Sequence, residues 1–215
     1  TELFPKTDHP IGDVVLEVSD LTNPAYFRNV SFTVRKGEIV ALAGLVGSGR
    51  SEIARSIFGV DSYETGSVKI NNKPLKKNSP ITAMAEKIAL VPEDRRQQGL
   101  FMVAGVNRNI SMESFDRLKG RIFLNFKKER ALTNEWRENL SIKYVNQSDP
   151  VDRLSGGNQQ KTVLAKWLAT NPDLLIVDEP TRGIDVGTKA EVHKLIDKAA
   201  GEGKAILMIS SELPE

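Results

Sequence analysis

The sequence contains no cysteine and only two histidines, His9 and His193, among its 215 residues. The lack of cysteine excludes disulfides, thiolate zinc sites and cysteine nucleophiles. Two histidines are too few for chemistry that needs a histidine cluster. The longest apolar stretch, Ile39 to Gly47, has nine residues, far fewer than the roughly 20 that a membrane-spanning helix needs. The composition therefore indicates a soluble, intracellular protein.

Net charge is also small, since 30 Lys and Arg residues against 28 Asp and Glu residues leave a formal charge of +2. This balance, with 27% charged residues, lacks the bulk electrostatics that hold proteins on nucleic acid. The hydrophobic content of 40% is enough for a sizeable core. We therefore expect one large domain, or one and a half, and no nucleic-acid partner.

Strand and helix signals alternate at both ends of the chain. The run Ile39–Ala43 has the composition of a strand that is buried on both faces of a parallel sheet. Ser51–Phe58 predicts a helix, and Val192, Leu195, Ile196 and Ala199 share one face of another. Further strands are predicted at Val14–Val18, Val30–Val34, Ile88–Val91, Leu174–Val177 and Ala205–Ile209.

The middle of the chain differs, because residues 106–169 have few strand signals and many helix formers. This segment predicts a helical subdomain inserted into an α/β core that comprises residues 14–105 and 170–215. The charged run Lys127–Arg130 predicts a solvated helix face. Residues 1–13, with Pro5 and Pro10, are expected to form a linker, and a frayed terminus is the alternative.

A glycine-rich segment, Gly-Leu-Val-Gly-Ser-Gly-Arg-Ser at 44–51, lies between a predicted strand and a predicted helix. This is the placement of a phosphate-binding loop, whose backbone N–H groups and helix N-terminus bind phosphate. Arg50 stands where the pattern has lysine, and it keeps the positive charge on a longer, planar group. A plain turn is the alternative. The candidate nucleotide-binding residues here are Gly44, Gly47, Ser48, Gly49, Arg50 and Ser51, and the Ser51 hydroxyl is also a candidate Mg²⁺ ligand.

Two further segments carry chemistry. Asp173–Pro180 is a hydrophobic strand that ends in two carboxylates, of which Asp178 would hold Mg²⁺ and Glu179 would polarise the water that attacks a γ-phosphate. Ser155, Gly156 and Gly157 precede a helix and form a second anion site. One nucleotide does not need two such sites, so the second is expected to bind a nucleotide held by a facing domain. Trp167, in the helix that follows, is expected in the core.

The segment Leu154–Gln160 (Leu-Ser-Gly-Gly-Asn-Gln-Gln) resembles the signature of ABC transporter ATPases, and the strand that ends at Asp178–Pro180 resembles their Walker B segment. The second glycine, Gly157, lies 21 residues before Asp178 (178 − 157 = 21). The resemblance runs from about Val15 to the end of the chain. Narrower motifs are similar to the C-terminal nucleotide-binding half of ribose-type monosaccharide importers, in which two such halves are fused, and autoinducer-2 importers have a related pattern. These motifs are Gly47–Arg50, Pro92–Arg96, Asp178–Asp185 and Ile209–Pro214.

The resemblance implies a P-loop NTPase of the ABC type, with a mainly parallel sheet core, an N-terminal antiparallel strand region and an inserted helical subdomain. Segment 44–51 would be Walker A, and Gly183–Asp185 would be the D-loop that contacts the partner half. Three residues depart from the family pattern. Arg50 replaces the Walker A lysine, and Ser211 replaces the switch histidine. Glu93 replaces the Q-loop glutamine that helps bind Mg²⁺ and water. We therefore expect the chain's own site to bind ATP and Mg²⁺ but to hydrolyse ATP slowly.

The intact signature would complete the site of the other half. The implied partners are that half, permease subunits and, indirectly, a solute-binding protein, at the cytoplasmic face of the membrane. The isolated domain would be weakly active, and ABC domains normally continue past the switch, so the chain is expected to be an excised fragment. A non-hydrolysing regulatory module and an ABC ATPase of DNA or ribosomes are alternatives, the latter disfavoured by the charge. One of the two aromatic residues Tyr26 and Phe27 would stack on adenine, and packing at the edge of the sheet is the alternative. Arg95 and Arg96 would contact a permease subunit, and a solvated surface is the alternative.

Overall fold

The computed structural model describes residues 7–120 and 124–211. The chain forms two compact units. The first comprises Thr1–Glu93, Pro172–Pro180 and His193–Glu215, and the second comprises Asp94–Asn171 and Thr181–Val192. Residues 1–6 of the predicted linker lie outside the described residues. In its remaining part, the side chains of Thr7 and His9 both bond Asp197, each at 2.9 Å.

In its described residues, the first unit contains eight strands in two sheets. An antiparallel sheet has the order β2-β1-β4-β5, and a parallel sheet has the order β3-β8-β7-β6. Asn23 and Tyr26 close the turn between the first two strands, where the Tyr26 N–H donates to the Asn23 carbonyl at 2.9 Å. This confirms the predicted antiparallel region at the N-terminus. The strands are β1 (Val14–Asn23), β2 (Phe27–Arg35), β3 (Ile39–Ala43), β4 (Thr65–Ile70), β5 (Lys73–Pro74), β6 (Ile88–Val91), β7 (Leu174–Asp178) and β8 (Ala205–Ser210).

The parallel sheet agrees with the predicted strands in position but not in the burial of β3. All residues of β6, β7 and β8 are buried. Residues of β3 instead alternate between exposed and half-buried, and 38% of Ile39 is exposed. The prediction that Ile39–Ala43 is buried on both faces is therefore wrong. Strands β3 and β6 both lie at edges of the sheet, but the helices Arg50–Phe58 and Pro80–Ala85 pack on β6, whereas β3 packs, among the described residues, mainly on β8.

Helices α1 (Arg50–Phe58) and α2 (Pro80–Ala85) belong to the first unit. Helix α7 (Val186–Gly201) is divided, since its residues up to Val192 belong to the second unit and those from His193 to the first. Helix α1 begins one residue before its predicted start. Val192, Ile196 and Ala199 of α7 are buried and Leu195 is half-buried, which confirms the predicted apolar face. Among residues 7–120 and 124–211, no helix has the length and apolar character required to cross a membrane.

The second unit contains α3 (Val106–Ser111), α4 (Phe115–Leu118), α5 (Phe126–Asn139) and α6 (Gly156–Leu168), and a single π-helical turn at Arg95–Gly99. Helix α6 is buried almost all round, and Trp167 is 7% exposed. This confirms the expectation that Trp167 lies in the core. The helix formers counted in the sequence therefore do form helices here.

The charged run on α5 is only partly solvated. Lys127, Lys128 and Arg130 are exposed as predicted, but Glu129 is 2% exposed. Its Oε1 accepts hydrogen bonds from Arg108 Nη1 at 2.8 Å and from Ser111 Oγ at 2.9 Å. The prediction of a solvated face is wrong at Glu129, because two donors on α3 compensate the burial of its charge.

Candidate functional site

The four parallel strands bring the predicted site residues of the first unit to one edge of the sheet. Register pairs Ala43 with Ser210, and Asp178 with Ile209. Strand β3 therefore leads into the glycine-rich loop, and β8 leads into Ser211, at the level where β7 ends in Asp178. Strand β6 ends one pair earlier and is followed by Pro92 and Glu93. Parallel sheets bind ligands at this carboxyl edge.

The loop between β3 and α1 requires glycine at two positions. Gly47 has φ +84° and Gly49 has φ +86°, both in the left-handed region that favours glycine. A Cβ on Gly49 would also collide with the carbonyl oxygen of Tyr26, whereas a Cβ on Gly47 would meet no described atom within 4 Å. The loop therefore turns tightly against the β1–β2 hairpin at Gly49 and leaves Gly47 open.

Arg50 is a buried cation, 8% exposed, at the start of α1. Its Nε donates to Ser48 Oγ at 3.1 Å, and its Nη1 donates to the Ser210 carbonyl. Its Nη2 lies 3.5 Å from Glu179 Oε1. The guanidinium is thus held against the ends of β7 and β8, which a shorter ammonium with a single centre of charge could not contact in the same way.

Ser51 and Asp178 form the candidate magnesium position. Ser51 Oγ donates to Asp178 Oδ1 at 3.1 Å. Burial is the main cause that raises the pKa of Asp178 from 3.8 to about 6, against the opposing effect of the Ser51 hydrogen bond. A buried carboxylate beside a hydroxyl suits a hard divalent cation. Within the described part of the chain, no three His, Cys, Asp or Glu side chains cluster to hold a metal, and Mg²⁺ usually needs only one or two carboxylates plus substrate phosphates.

Glu179 is held between two partners. Besides Arg50 at Oε1, its Oε2 accepts a hydrogen bond from Ser211 Oγ at 3.0 Å. Glu179 has φ +45°, a conformation that a residue with a side chain rarely adopts. Such strain concentrates at functional sites. Ser211, which stands in the switch position, therefore contacts the candidate base itself, while the role of Glu93 as a magnesium ligand stays a prediction.

The two aromatic candidates for adenine stacking differ in exposure. Phe27 is 6% exposed and belongs to the core, whereas Tyr26 is 57% exposed. The Tyr26 backbone touches the loop at Gly49, as described above. Tyr26 is therefore the aromatic side chain that could reach a nucleotide bound there, although its stacking on adenine stays a prediction.

The second unit carries the other anion site, at the start of α6. Ser155 is exposed, and its Oγ accepts hydrogen bonds from the Asn158 backbone N at 3.4 Å and from Asn158 Nδ2 at 2.9 Å. A Cβ on Gly157 would lie 2.5 Å from Thr188 Cγ2. Thr188 in turn is bonded through N and Oγ1 to the carboxylate of Asp185, at 2.9 and 2.7 Å. Gly157 therefore packs closely on Thr188, which links it to Asp185 at the end of the expected D-loop.

Several contacts at these sites could not be found from the sequence. The Ser210 carbonyl is a backbone group, and no sequence pattern marks a particular carbonyl as an Arg50 partner. Arg95 also lies at the signature rather than on open surface, since its Nη1 and Nη2 donate to the Arg182 and Gly183 carbonyls. The motif Pro92–Arg96 was a signal for Arg95, but it did not indicate the residues that Arg95 contacts.

Comparisons with known proteins agree with this geometry. A family model described as ABC transporter matches residues 27–182. The ribose import ATP-binding protein RbsA of Rhodococcus jostii is 56% identical over 99% of this chain and 42% of its own length. RbsA 1 of Streptomyces coelicolor is 54% identical over 100% of this chain and 42% of its own length. A putative ribose/galactose/methyl galactoside import ATP-binding protein of Rhizobium etli is 50% identical over 100% and 41%. The chain thus spans about two fifths of these relatives.

Solved structures share the fold. A dimeric bacterial ABC transporter cassette superposes with a TM-score of 0.78 at 22% identity, over 92% of this chain and 88% of that one. A nucleotide-free ATP-binding cassette gives 0.76 at 21% identity, over 94% and 83%. At these identities the likeness establishes the fold, which is the one that the sequence motifs imply.

Proposed function

Since this chain belongs to the ABC transporter family, we propose that it is the ATP-binding and ATP-hydrolysing domain of an importer that powers the uptake of a ribose-like monosaccharide. The names of the relatives support the transported class, because they are ribose or ribose/galactose import ATP-binding proteins. These relatives are more than twice as long as the chain, which supports a polypeptide with two fused nucleotide-binding halves.

The residues at the carboxyl edge of the parallel sheet suit nucleotide binding. Loop N–H groups and the N-terminus of α1 would bind the phosphates, and the exposed Tyr26 ring would stack on adenine. Ser51 and Asp178, and Glu93 beyond them, would hold Mg²⁺. When bound, the cation neutralises charge that develops on the phosphates. It would also favour the charged form of Asp178, whose burial alone favours the protonated form.

The observation that carries the proposal of a slow own site is the double engagement of Glu179. Its two carboxylate oxygens face Arg50 and Ser211, at 3.5 and 3.0 Å. These partners would compete with an attacking water for the lone pairs of Glu179. Arg50 would have to leave Glu179 and the Ser210 carbonyl to reach a phosphate. The site therefore suits binding of ATP more than its hydrolysis.

The exposed start of α6 would serve the other half. Gly157 is buried, but Ser155 is exposed and Gly156 is half-buried, so the N-terminus of this helix faces solvent with the positive end of its dipole. It would complete the competent site of the fused half when the two halves close on ATP. Closure of the two halves, which would lie at the cytoplasmic face of the membrane, would drive the permease subunits. A solute-binding protein would supply these subunits with sugar, and no nucleic acid would take part.

Replacement of Ser155 by Arg in the complete polypeptide tests the proposal. A bulky cation at the signature should abolish closure on ATP, so steady-state ATPase activity should fall at least about tenfold, as expected when donors to a transition state are lost. Nucleotide binding by the chain's own loop should persist. Unchanged turnover by the S155R variant would contradict the proposal, as would rapid hydrolysis by this chain alone.

The engagement of Glu179 also favours a second candidate, a regulatory module that binds nucleotide without hydrolysing it. A single-turnover assay with radiolabelled ATP, with and without the other half, separates the two. Phosphate release from the chain's own site, even if slow, supports the ATPase. The cargo could also be autoinducer-2 or another sugar-like solute rather than a monosaccharide. Measuring which solute stimulates the ATPase activity of the assembled transporter identifies it.

A further inference from the structure

The π-helical turn Arg95–Gly99 lies in the second unit and is fixed at both ends. At its start, Asp94 accepts hydrogen bonds from the backbone N–H groups of Arg96 and Gln97, at 2.9 and 3.0 Å. At its end, Lys166 of α6 donates to the Gly99 carbonyl at 2.7 Å, and Lys166 is only 4% exposed. The turn is thereby tied to the helix that begins with the signature. π-Helical turns occur often at functional sites.

The side chain that this turn presents to the signature is Arg95. Its Nη1 donates to the Arg182 carbonyl at 2.9 Å, and its Nη2 donates to the Gly183 carbonyl at 3.2 Å. Gly183 has φ +67°, so the chain bends sharply here. The planar fork of a guanidinium can bond two successive carbonyls at once, which the single centre of a lysine ammonium does less well. Burial lowers the pKa of Arg95, and the charge of Arg96 lowers it further.

The same guanidinium touches the signature. A Cβ on Gly156 would lie 2.9 Å from Arg95 Nη2 and 3.4 Å from the Gly183 carbonyl oxygen. Glycine at this position therefore leaves room for the guanidinium, which a side chain here would displace. Gly157 makes the equally close approach to Thr188 described above. Arg95 thus lies between the first signature glycine and two carbonyls of the segment that follows β7.

We propose that Arg95 is a positioning residue that holds the signature in one fixed arrangement with the D-loop Gly183–Asp185 and with Arg182, which precedes it. The inference rests on the proposed function, in which the signature completes the site of the other half. Arg95 itself does not touch that nucleotide. It sets the direction in which the N–H groups at the start of α6 point, so its loss should lower the rate of hydrolysis more than it lowers nucleotide affinity.

Arg96 is the matched control, because it carries the same charge one residue further along, and its side chain is exposed. The test compares R95A, R95K, R96A and S155R in the complete polypeptide without permease subunits. For each variant, kcat and KM for ATP are measured together with the affinity of the chain's own loop for a fluorescent ATP analogue.

We expect R95A to lower kcat about tenfold while KM and loop affinity stay within about twofold. The R95K variant should keep an intermediate kcat, because lysine restores one of the two carbonyl contacts. Guanidinium ion added at millimolar concentration should recover several-fold of the kcat of R95A, but none of that of S155R. The R96A variant should match the unchanged protein.

The outcomes separate this inference from the proposed function. Wild-type kcat in R95A, alongside an inactive S155R, would overturn the role of Arg95 alone. An active S155R would overturn the proposed function instead. An equal loss of kcat in R95A and R96A would show that charge, and not the contact with the D-loop, is what matters, and would also overturn the inference. If R95A fails to bind nucleotide, the R95K variant provides the test instead, and a wild-type kcat in R95K would overturn the inference about Arg95.

Discussion

At the scale of single residues, Asp178, the proposed Mg²⁺ ligand, shows how burial changes the charge state of a carboxyl. It is 4% exposed, and its pKa is raised from 3.8 to about 6. Folding thus favours the protonated form of this carboxyl. The stabilising contribution is complete below about pH 4 and is lost as the pH rises through about 6. Near neutral pH the nucleotide-free protein therefore holds a buried carboxylate at a free-energy cost.

Replacement of Asp178 by Asn should remove that cost. We expect D178N to raise the free energy of unfolding at pH 7.5 by on the order of 2 kcal/mol, and to flatten its pH dependence between about pH 4 and 6. Urea unfolding at several pH values measures both effects. The variant should also lose magnesium-dependent nucleotide binding. An unfolding free energy at pH 7.5 equal to or below that of the unchanged protein would contradict this account.

Asp185 supplies a control of opposite sign. Hydrogen bonds from Thr188, from its side chain first and its backbone second, lower the pKa of Asp185. Folding therefore favours the charged form, and its contribution is present above the ordinary pKa and lost as the pH falls. D185N should accordingly lower stability at pH 7.5, where D178N raises it.

At the scale of elements, the contact between the β1–β2 hairpin and the start of α1 fixes the phosphate loop. Gly49 and Gly203 have almost the same backbone angle, φ +86° and +87°. A Cβ on Gly49 would strike the Tyr26 carbonyl, whereas a Cβ on Gly203 would meet no described atom within 4 Å. The pair therefore separates backbone strain from close packing of two elements.

We expect G203A to lower the free energy of unfolding by about 1 kcal/mol, the usual penalty of a left-handed alanine. The G49A variant should lower it by about 3 kcal/mol or more, because the hairpin must also move away. ATP affinity, measured by calorimetry, should fall in G49A and stay unchanged in G203A. Equal losses of stability in the two variants would mean that the hairpin does not constrain the loop.

The elements also show which features the sequence could predict. Buried strands and the phosphate loop depend on neighbouring residues, so β6, β7, β8 and α1 lie where the local pattern placed them. The exposure of β3 depends on which helices pack on each edge of the sheet, and no local pattern contains that information. The prediction for Glu129 was wrong because its partners, Arg108 and Ser111, are distant in sequence. The contacts of Arg95 could not be predicted because its partners are backbone carbonyls, which no residue type marks.

At the scale of the whole chain, the phosphate loop and the signature lie in different compact units. If the signature serves another half, MgATP added to this chain alone should slow the hydrogen exchange of residues 44–51 and 174–179 and leave that of residues 155–160 unchanged. In the complete polypeptide with hydrolysis blocked, residues 155–160 should become protected about as strongly as the loop. Hydrogen–deuterium exchange with mass spectrometry measures both cases.

The chain's concentration provides the control for this comparison, because self-association would supply a second loop. Exchange is therefore measured below the concentration at which light scattering detects dimers. Protection of residues 155–160 in the monomeric chain would show that one chain contributes both sites to one nucleotide, contrary to the proposed division.

The carboxyl edge of the parallel sheet collects residues 44–51, 93, 178–179 and 211, segments that are far apart along the chain. No short peptide of this protein could therefore retain the site. Nucleotide binds only after all four strands of the parallel sheet have found their register. ATP then acts as a thermodynamic ligand of folding. At a free concentration of 100 times its dissociation constant it would stabilise the first unit by about 2.7 kcal/mol. The nucleotide content of a cell would thus set how much of this half persists against proteolysis.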